Sequence, residues 1–373
     1  MFVGDRNDAK LQADPADRLL AEAARAAKSA RQRIGAMVDL FLPDSMRLSD
    51  YQRITVRRFL ARLVTSVEND IRQRLVVEHG QHFSEDLLAA LGSTRVTIAL
   101  PVLERARALH DAELIALLLA RVEEQKLTER LRKNAEANGE ASSLIEALMA
   151  DADPALSAAA MALLIAESRR CYIFEDSALP RTDLPAEMHY RLTWCVAAAI
   201  RDYLVRLHGV SPAAADSALT ECGSALLAAH DEGEMLEAAA MHLAQLLGER
   251  GWLDDQVLKA TCVEGRLALL IAILAVRAGM DFDGVREMIL PPNGGRLILL
   301  LKALGVARDT AAAILLAMNE ADDHFAEVMV AFDTVDPARA QDAIRPWQIH
   351  PGYRAAIAAL SSGTSERGDG WVP

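Results

Sequence analysis

Six arginines crowd the segment between residues 53 and 74. They are Arg53, Arg57, Arg58, Arg62, Arg72 and Arg74. On a helix, residues at i and i+4 share a face, so several of these like charges repel one another. A basic face of this kind is typical of a surface that contacts acidic groups. The candidate residues for binding an acidic protein partner are Arg53, Arg57, Arg58 and Arg62. The alternatives are a solvated face, a contact with the protein's own acidic half, and phosphate.

A glycine-rich turn at residues 291–296 is a second candidate binding feature. Its sequence is Pro-Pro-Asn-Gly-Gly-Arg, and an apolar helical pattern follows it. Free backbone N–H groups at a helix N-terminus bind anions, and an arginine adds a charged donor. Gly294, Gly295 and Arg296 therefore form a candidate anion-binding turn for a small phosphorylated ligand. The alternative is a plain connection between two repeat helices.

A third group combines histidines with carboxylates. The run His230-Asp231-Glu232-Gly233-Glu234 is followed by Glu237 and His242. Pairs of these side chains are able to do acid–base chemistry. Because an Ala-rich helical pattern follows at once, we interpret the run as the acidic start of a helix.

Motifs that would carry a cofactor or a metal are missing from the sequence. It has no Gly-x-Ser-x-Gly, no Walker loop and no dinucleotide fingerprint. The cysteines are too far apart for a Cys-x-x-Cys pair, and they stand at Cys171, Cys195, Cys222 and Cys262. We therefore expect no cofactor and no metal, and we interpret the cysteines as buried thiols in a reducing compartment.

Composition and charge restrict the class of protein. Hydrophobic residues make up 52% of the 373 residues, which excludes disorder for most of the chain. The net charge is -13, so nucleic acid is not an expected partner. Residues 1–135 carry 22 Lys and Arg against 19 Asp and Glu, whereas the rest carries 18 against 34.

The polar N-terminus does not resemble a signal peptide. The longest apolar run, Leu267 to Val276, is far short of the ~20 residues that span a bilayer. We expect a cytoplasmic protein.

The elements that position these groups are predicted to be helices throughout. Ala and Leu dominate the apolar residues, and aromatics are only 5%. Ser49 to Gln52 has the spacing of a capping box, Ser211-Pro212 starts another helix, and Pro101 is expected to kink or divide residues 96–122. The units recur every ~30–45 residues, which predicts an all-α fold of stacked helix pairs, a HEAT-like α-solenoid. The alternative is an irregular helical globule.

A long N-terminal helical arm precedes these units. Small or apolar residues recur at steps of 4 and 3 from Ala16 to Phe41, an unbroken heptad pattern of the kind that pairs helices. The pattern indicates a candidate self-association seam, through which two copies of the chain would form a homodimer. Its residues are Leu20, Ala27, Ile34, Met37 and Phe41. The alternative is an arm that folds back to cap the first repeat.

These patterns divide the chain into consecutive parts. The Pro- and Asp-rich residues 175–187 are the expected domain boundary. The predicted parts are a flexible tail at 1–13, the arm at 14–43, an N-terminal helical-repeat domain at 44–174, an acidic C-terminal helical domain at 188–360 and a disordered tail at 361–373.

Four stretches carry a family resemblance. They are VTSVENDIRQRLV at 64–76, ALPVLERARALHDAELIALL at 99–118, AILAVRAGMDFDGVREMIL at 272–290 and GRLILLLKALGVARDTAAAILL at 295–316. Together they resemble an alphaproteobacterial family of uncharacterised HEAT-like proteins, a domain of unknown function, over roughly residues 45–320. The resemblance implies a helical fold and a cytoplasmic setting, and it brings no catalytic residues with it.

The function expected from these observations is a non-enzymatic adaptor or regulator that binds another protein. This expectation rests on an architecture that offers extended surfaces and on the lack of catalytic motifs in the sequence. The alternatives are a sensor for a small phosphorylated ligand and a helical enzyme with an unrecognised site. Arginines and a carboxylate gathered in one concave pocket would favour the alternatives, whereas an open exposed surface would favour the adaptor.

Overall fold

A computed structural model describes most of the chain after residue 48. The described residues are 49–93, 96–138, 143–175, 182–290, 295–318, 325–350, 352–354, 356–357 and 360. Within them the chain forms helices and no strand, which confirms the all-α prediction. The α-helices are, in chain order, α1 Asp50–His79, α2 Glu85–Gly92, α3 Ala99–Ala106, α4 Ala112–Asn138, α5 Leu144–Met149, α6 Pro154–Glu175, α7 Ala186–His208, α8 Pro212–Ala228, α9 Leu236–Glu249, α10 Asp255–Val263, α11 Leu267–Ala278, α12 Phe282–Ile289, α13 Gly295–Ala303, α14 Arg308–Met318, α15 Phe325–Thr334 and α16 Pro337–Ile344.

Helix starts follow the capping residues of the sequence. Ser49 and Gln52 form a reciprocal capping box: the Gln52 N–H donates to Ser49 Oγ at 3.1 Å, and the Ser49 N–H donates to Gln52 Oε1 at 2.8 Å. Ser211 caps α8, and Pro212 occupies the first turn, where its missing N–H has no partner to lose. Both predicted starts are confirmed.

The prediction for Pro101 is wrong. Pro101 lies in the first turn of α3, where proline is tolerated, and the helix runs on past it to Ala106. The stretch breaks later, at residues 107–111, where Arg107 adopts a left-handed backbone with φ 55°. The break therefore comes from the C-cap of α3 and not from the proline.

Contacts divide the chain into two compact units that interleave along the sequence. Among the described residues, the first unit, called here the α1 unit, comprises 49–123 and 152–240. The second, the α13 unit, comprises 124–151 and the described residues from 241 onward. The sequence prediction of consecutive domains at 44–174 and 188–360 follows chain order instead, and it stays a prediction.

The core of the α1 unit is built around its long first helix. Helix α1 packs on α7 and α8, and α3 also packs on α7. Phe59, Leu63 and Ile71 of α1 share one buried cluster with Leu192 and Ile200 of α7. Residues on both sides of 175–187 thus contribute to the same core.

The α13 unit has two largely buried helices. Residues 269–275 of α11 are fully inaccessible, so the longest apolar run of the sequence is core. Helix α13 packs on α15 and α16, and α10 packs on α11 and α14. No helix in the described part is both long enough and apolar enough to cross a bilayer.

Stacked helix pairs are compatible with these contacts. Consecutive helices pack on each other at α7–α8 and α11–α12, as a repeat array requires. Helix α1, however, also packs on α7 and α8, which lie far along the chain. The solenoid stays a prediction, and the arm at 14–43 and the two tails lie outside the described residues.

Candidate functional site

The predicted basic face lies in the amino-terminal half of α1. Arg53 contacts Asp50 at 2.7 Å, and Arg57 contacts Glu104 at 3.2 Å. Arg58 is exposed and has no ion-pair or hydrogen-bond partner within the described residues. Two of the exposed arginines thus have a carboxylate nearby, and one has none.

Two large apolar side chains accompany the arginines. Tyr51 is 57% exposed and Ile54 is 59% exposed. The spacing of residues 51, 54 and 58 is i, i+3 and i+7, which places Tyr51, Ile54 and Arg58 on one face of the helix. Tyrosine and arginine are enriched among the residues that dominate binding energy at protein interfaces. We call this set, with Arg53, Arg57 and the half-buried Arg62, the α1 face.

Arg72, farther along the same helix, is different. It is only 3% exposed, and its Nη1 lies 3.0 Å from Glu68 Oε1, a carboxylate that is also buried. The guanidinium also donates to backbone carbonyls at the end of α2 and in the segment that follows, those of Ala90, Leu91, Ser93 and Val96. A fully engaged arginine of this kind has no donor to offer a partner.

Glu68 completes this buried group from the other side. Its carboxylate accepts the backbone N–H groups of Ile98, at 3.0 Å, and Ala99, at 2.8 Å. These N–H groups belong to the start of α3, which has no other side-chain cap. Arg72 and Glu68 therefore hold the α2–α3 connection on α1, which is a structural role.

A cavity of about 610 Å³ lies in the α1 unit, between α1, α6 and the segments that flank α7 and α9. This volume is within the range of ~300–1,000 Å³ of small-molecule sites. The arginines that line it are Arg74 and Arg169, and the acidic residues are Asp70, Glu78, Asp183, Asp231 and Glu234. With five carboxylates against two guanidiniums, the cavity is acidic.

A buried ionic cluster supports one wall of the cavity. Arg170 contacts Asp183, and its Nη2 lies 2.7 Å from Glu237 Oε2. Arg121, which is 1% exposed, donates to the Asp183 carbonyl and lies 3.6 Å from Glu237 Oε1. Burial alone would raise the pKa of Glu237, but the charges of Arg170 and Arg121 outweigh it and hold this pKa well below its ordinary range. Glu237 is therefore an ionised anchor for the two arginines.

A pair of stacked histidines also lines the cavity. The rings of His189 and His230 are 4.3 Å apart, and His189 Nδ1 lies 2.7 Å from Thr182 Oγ1. Burial, assisted by His230, lowers the pKa of His189 to about 4, so this imidazole is neutral at pH 7. His189 Nε2 is buried and has no hydrogen-bond partner in the described part of the chain. Such a neutral ring is able to accept or donate one hydrogen bond inside the cavity.

The sequence found only part of this arrangement. His230, Asp231 and Glu234 were singled out, and the structure places them around the cavity, with Glu237 in the ionic cluster behind it. His189 and Thr182 were missed, because they are isolated in the sequence and come from a different segment. His242 lies on α9 and does not line the cavity.

The predicted anion-binding turn is described only in part, because Gly294 lies outside the described residues. Gly295 and Arg296 begin α13 and are buried. Arg296 Nη1 donates to the Glu287 carbonyl at 3.1 Å, and the guanidinium lies 5.6 Å from the centre of the Trp347 ring. Arg296 thus has protein partners at this point, and anion binding there stays a prediction.

The predicted self-association seam lies outside the described residues. Its members are Leu20, Ala27, Ile34, Met37 and Phe41.

All four cysteines are among the residues that the structure describes. Cys222 and Cys262 are buried, as expected, whereas Cys171 and Cys195 are half-buried, which corrects the expectation of four buried thiols. Cys222 also belongs to a group of potential metal ligands with Glu78 and His79.

A family model described as an uncharacterised protein conserved in bacteria (DUF2336) matches residues 98–345. No curated protein and no solved structure matches the chain. The matched range includes three of the four stretches that carry the resemblance, and the α1 face lies before it.

Proposed function

The chain belongs to the DUF2336 family of uncharacterised bacterial proteins, and we propose that it is a non-enzymatic helical adaptor that binds an acidic partner protein through the α1 face. The observation that carries the proposal is the exposure of Tyr51 and Ile54 beside Arg58, an arginine without a partner among the described residues. We place this adaptor in the cytoplasm.

The composition of the face supports a protein partner over a small ligand. Tyr51 and Ile54 offer apolar area that a partner would remove from water, at roughly 25 cal/mol per Å². Arg57 and Arg58 supply positive charge at the rim, which speeds encounter with an acidic surface and selects against basic ones. The whole chain has a net charge of -13, so this basic face is a local exception that gives a partner one orientation.

Charge reversal on the face tests the proposal. The double substitution Arg57→Glu and Arg58→Glu should abolish co-purification of the partner with the tagged full-length protein from its native bacterium. Arg206→Glu on α7 is the control. The Arg206 side chain is 77% exposed and that of Arg57 is 80% exposed, and each of them contacts one carboxylate. Added salt should also weaken the complex, because exposed charges are screened over ~10 Å at 0.1 M. A partner retained by the double variant, or lost equally from Arg206→Glu, would contradict the proposal.

A second candidate function is small-ligand binding in the cavity of the α1 unit. It is favoured by a specific arrangement, arginines and carboxylates gathered in one concave pocket with the neutral His189. Because the carboxylates outnumber the arginines, a cationic ligand such as a diamine fits better than a phosphorylated one. The sensor for a phosphorylated ligand at Gly294–Arg296 is the weaker variant, since Arg296 already donates to Glu287.

Calorimetric titration separates these ligand classes. A diamine should bind the full-length protein and should lose affinity in Glu234→Gln, since Glu234 lines the cavity and contacts Arg169 at 2.9 Å. Asp202→Asn on α7 is a control outside the cavity lining. Binding of inorganic phosphate in place of the diamine would contradict a cationic ligand.

A further inference from the structure

The last turn of α1 and the middle of α8 bring three metal-ligating side chains together. Glu78 and His79 are consecutive at the end of α1, and Cys222 lies on α8. One ligand atom from each residue can be chosen so that all three lie within 4.8 Å of one another. The two helices pack directly on each other in the α1 unit, so the cluster is held by the fold and not by a loop.

We propose that Glu78, His79 and Cys222 bind a zinc ion, with the carboxylate of Glu221 as the fourth ligand. A thiolate, an imidazole and carboxylates are the donors that zinc takes in proteins, usually four at a time and in a tetrahedron. Glu221 is next to Cys222 on α8, and its Oε2 lies 3.5 Å from His79 Nε2. The site goes beyond the proposed adaptor function and does not depend on it.

The imidazole of His79 gives an independent sign of a ligand. Its Nε2 atom is buried and has no hydrogen-bond partner in the described part of the protein. The nearby Glu221 oxygen, at 3.5 Å, is too far for a good hydrogen bond. A buried imidazole nitrogen without a hydrogen-bond partner is costly, and a metal ion at this position would use its lone pair.

Binding of an ion requires the ligand side chains to move closer together. Zinc lies about 2.3 Å from sulfur and about 2.0–2.1 Å from nitrogen or oxygen, so its ligands approach one another more closely than 4.8 Å. The Glu78 and Glu221 side chains are partly exposed, so they are free to rotate and bring their oxygens toward the ion. Arg74, 3.6 Å from Glu78, is the charge that opposes a cation here.

Proton release accompanies binding of the metal. Burial, with help from the charges of Glu78 and Glu221, raises the pKa of the Cys222 thiol to about 11, so the free thiol is protonated at pH 7. The ion displaces this proton to solvent and takes the thiolate as its ligand. The same carboxylates that disfavour the thiolate alone become ligands once the cation is present.

Cobalt substitution tests the site in the full-length, reduced, chelator-treated protein. Co²⁺ should bind at one equivalent and give a thiolate-to-cobalt charge-transfer band with intense tetrahedral d–d bands, and Zn²⁺ should displace it. Cys222→Ser should remove the charge-transfer band, whereas Cys262→Ser, the change of another buried cysteine, should keep it. His79→Asn and Glu221→Gln should weaken zinc by more than about tenfold, the range known for changes around metal sites.

Folding of each variant is checked by its helical circular dichroism. If Cys222→Ser does not fold, His79→Asn decides, because His79 lies at the end of α1 and not in the core cluster. A missing charge-transfer band in the wild type, a band that survives in folded Cys222→Ser, or an unchanged zinc affinity in His79→Asn would overturn the proposal. A band lost only in Cys262→Ser would do so as well.

Discussion

Arg58, in the amino-terminal half of α1, is exposed and has no partner among the described residues, whereas Arg72, in the carboxyl-terminal half, is buried and engages Glu68 and several carbonyls. The same residue type thus occurs in two different environments on one helix. In the interior, the guanidinium stabilises a loop and a helix start. At the surface, the same group is available to a partner. Sequence spacing alone grouped both arginines in one basic segment.

The buried arginine, Arg72, should contribute a large share of the protein's stability. Removing one partner of a buried ion pair leaves the other charge without compensation, which costs about 3–5 kcal/mol. We therefore expect Arg72→Met to lower the free energy of unfolding by about that amount in urea titrations. Arg74→Met is the matched control, since Arg74 is two residues away, a third exposed, and 3.6 Å from Glu78. Equal losses of unfolding free energy in Arg72→Met and Arg74→Met would contradict the claim that the buried arginine contributes more to stability than a partly exposed one.

His189 extends the comparison to a buried group that titrates. Its pKa is lowered to about 4 in the folded protein, against about 6.5 in the unfolded chain. Between these values the unfolded state binds more protons, so stability falls as the pH falls. The loss from pH 7 to pH 5 should be about 2 kcal/mol. His189→Gln should reduce this pH dependence, whereas the exposed His82→Gln should not. An unchanged pH dependence in His189→Gln would show that the ring is not the titrating group.

The exposed arginine, Arg58, should matter least for stability. We expect Arg58→Glu to change the free energy of unfolding by less than about 0.5 kcal/mol, as surface substitutions usually do. Urea titrations run beside those of Arg72→Met would measure the contrast directly. A loss comparable with that of Arg72→Met would mean that Arg58 is part of the fold and not of a binding face.

Local chemistry explains which features the sequence could predict. The helices, and the starts at Ser49 and Ser211, depend on neighbours in the chain, and the structure confirms them. The His189–His230 stack and the group of Glu78, His79 and Cys222 depend on packing between distant segments. The search for metal ligands by Cys-x-x-Cys spacing could not find the latter, since its residues come from α1 and α8. Likewise, only tertiary contacts distinguish Arg72 from Arg58.

The central claim is that the α1 face binds a partner, and photo-crosslinking from position 51 tests it most directly. A benzophenone amino acid would replace Tyr51 in the native bacterium, with replacement of Tyr190 as the control, since Tyr51 is 57% exposed and Tyr190 is 54% exposed in the same unit. We predict one acidic protein crosslinked from position 51, lost in Arg58→Glu and not seen from position 190. The same products from both positions, or a product from position 51 confined to residues 14–43 or to a second copy of this chain, would contradict the account.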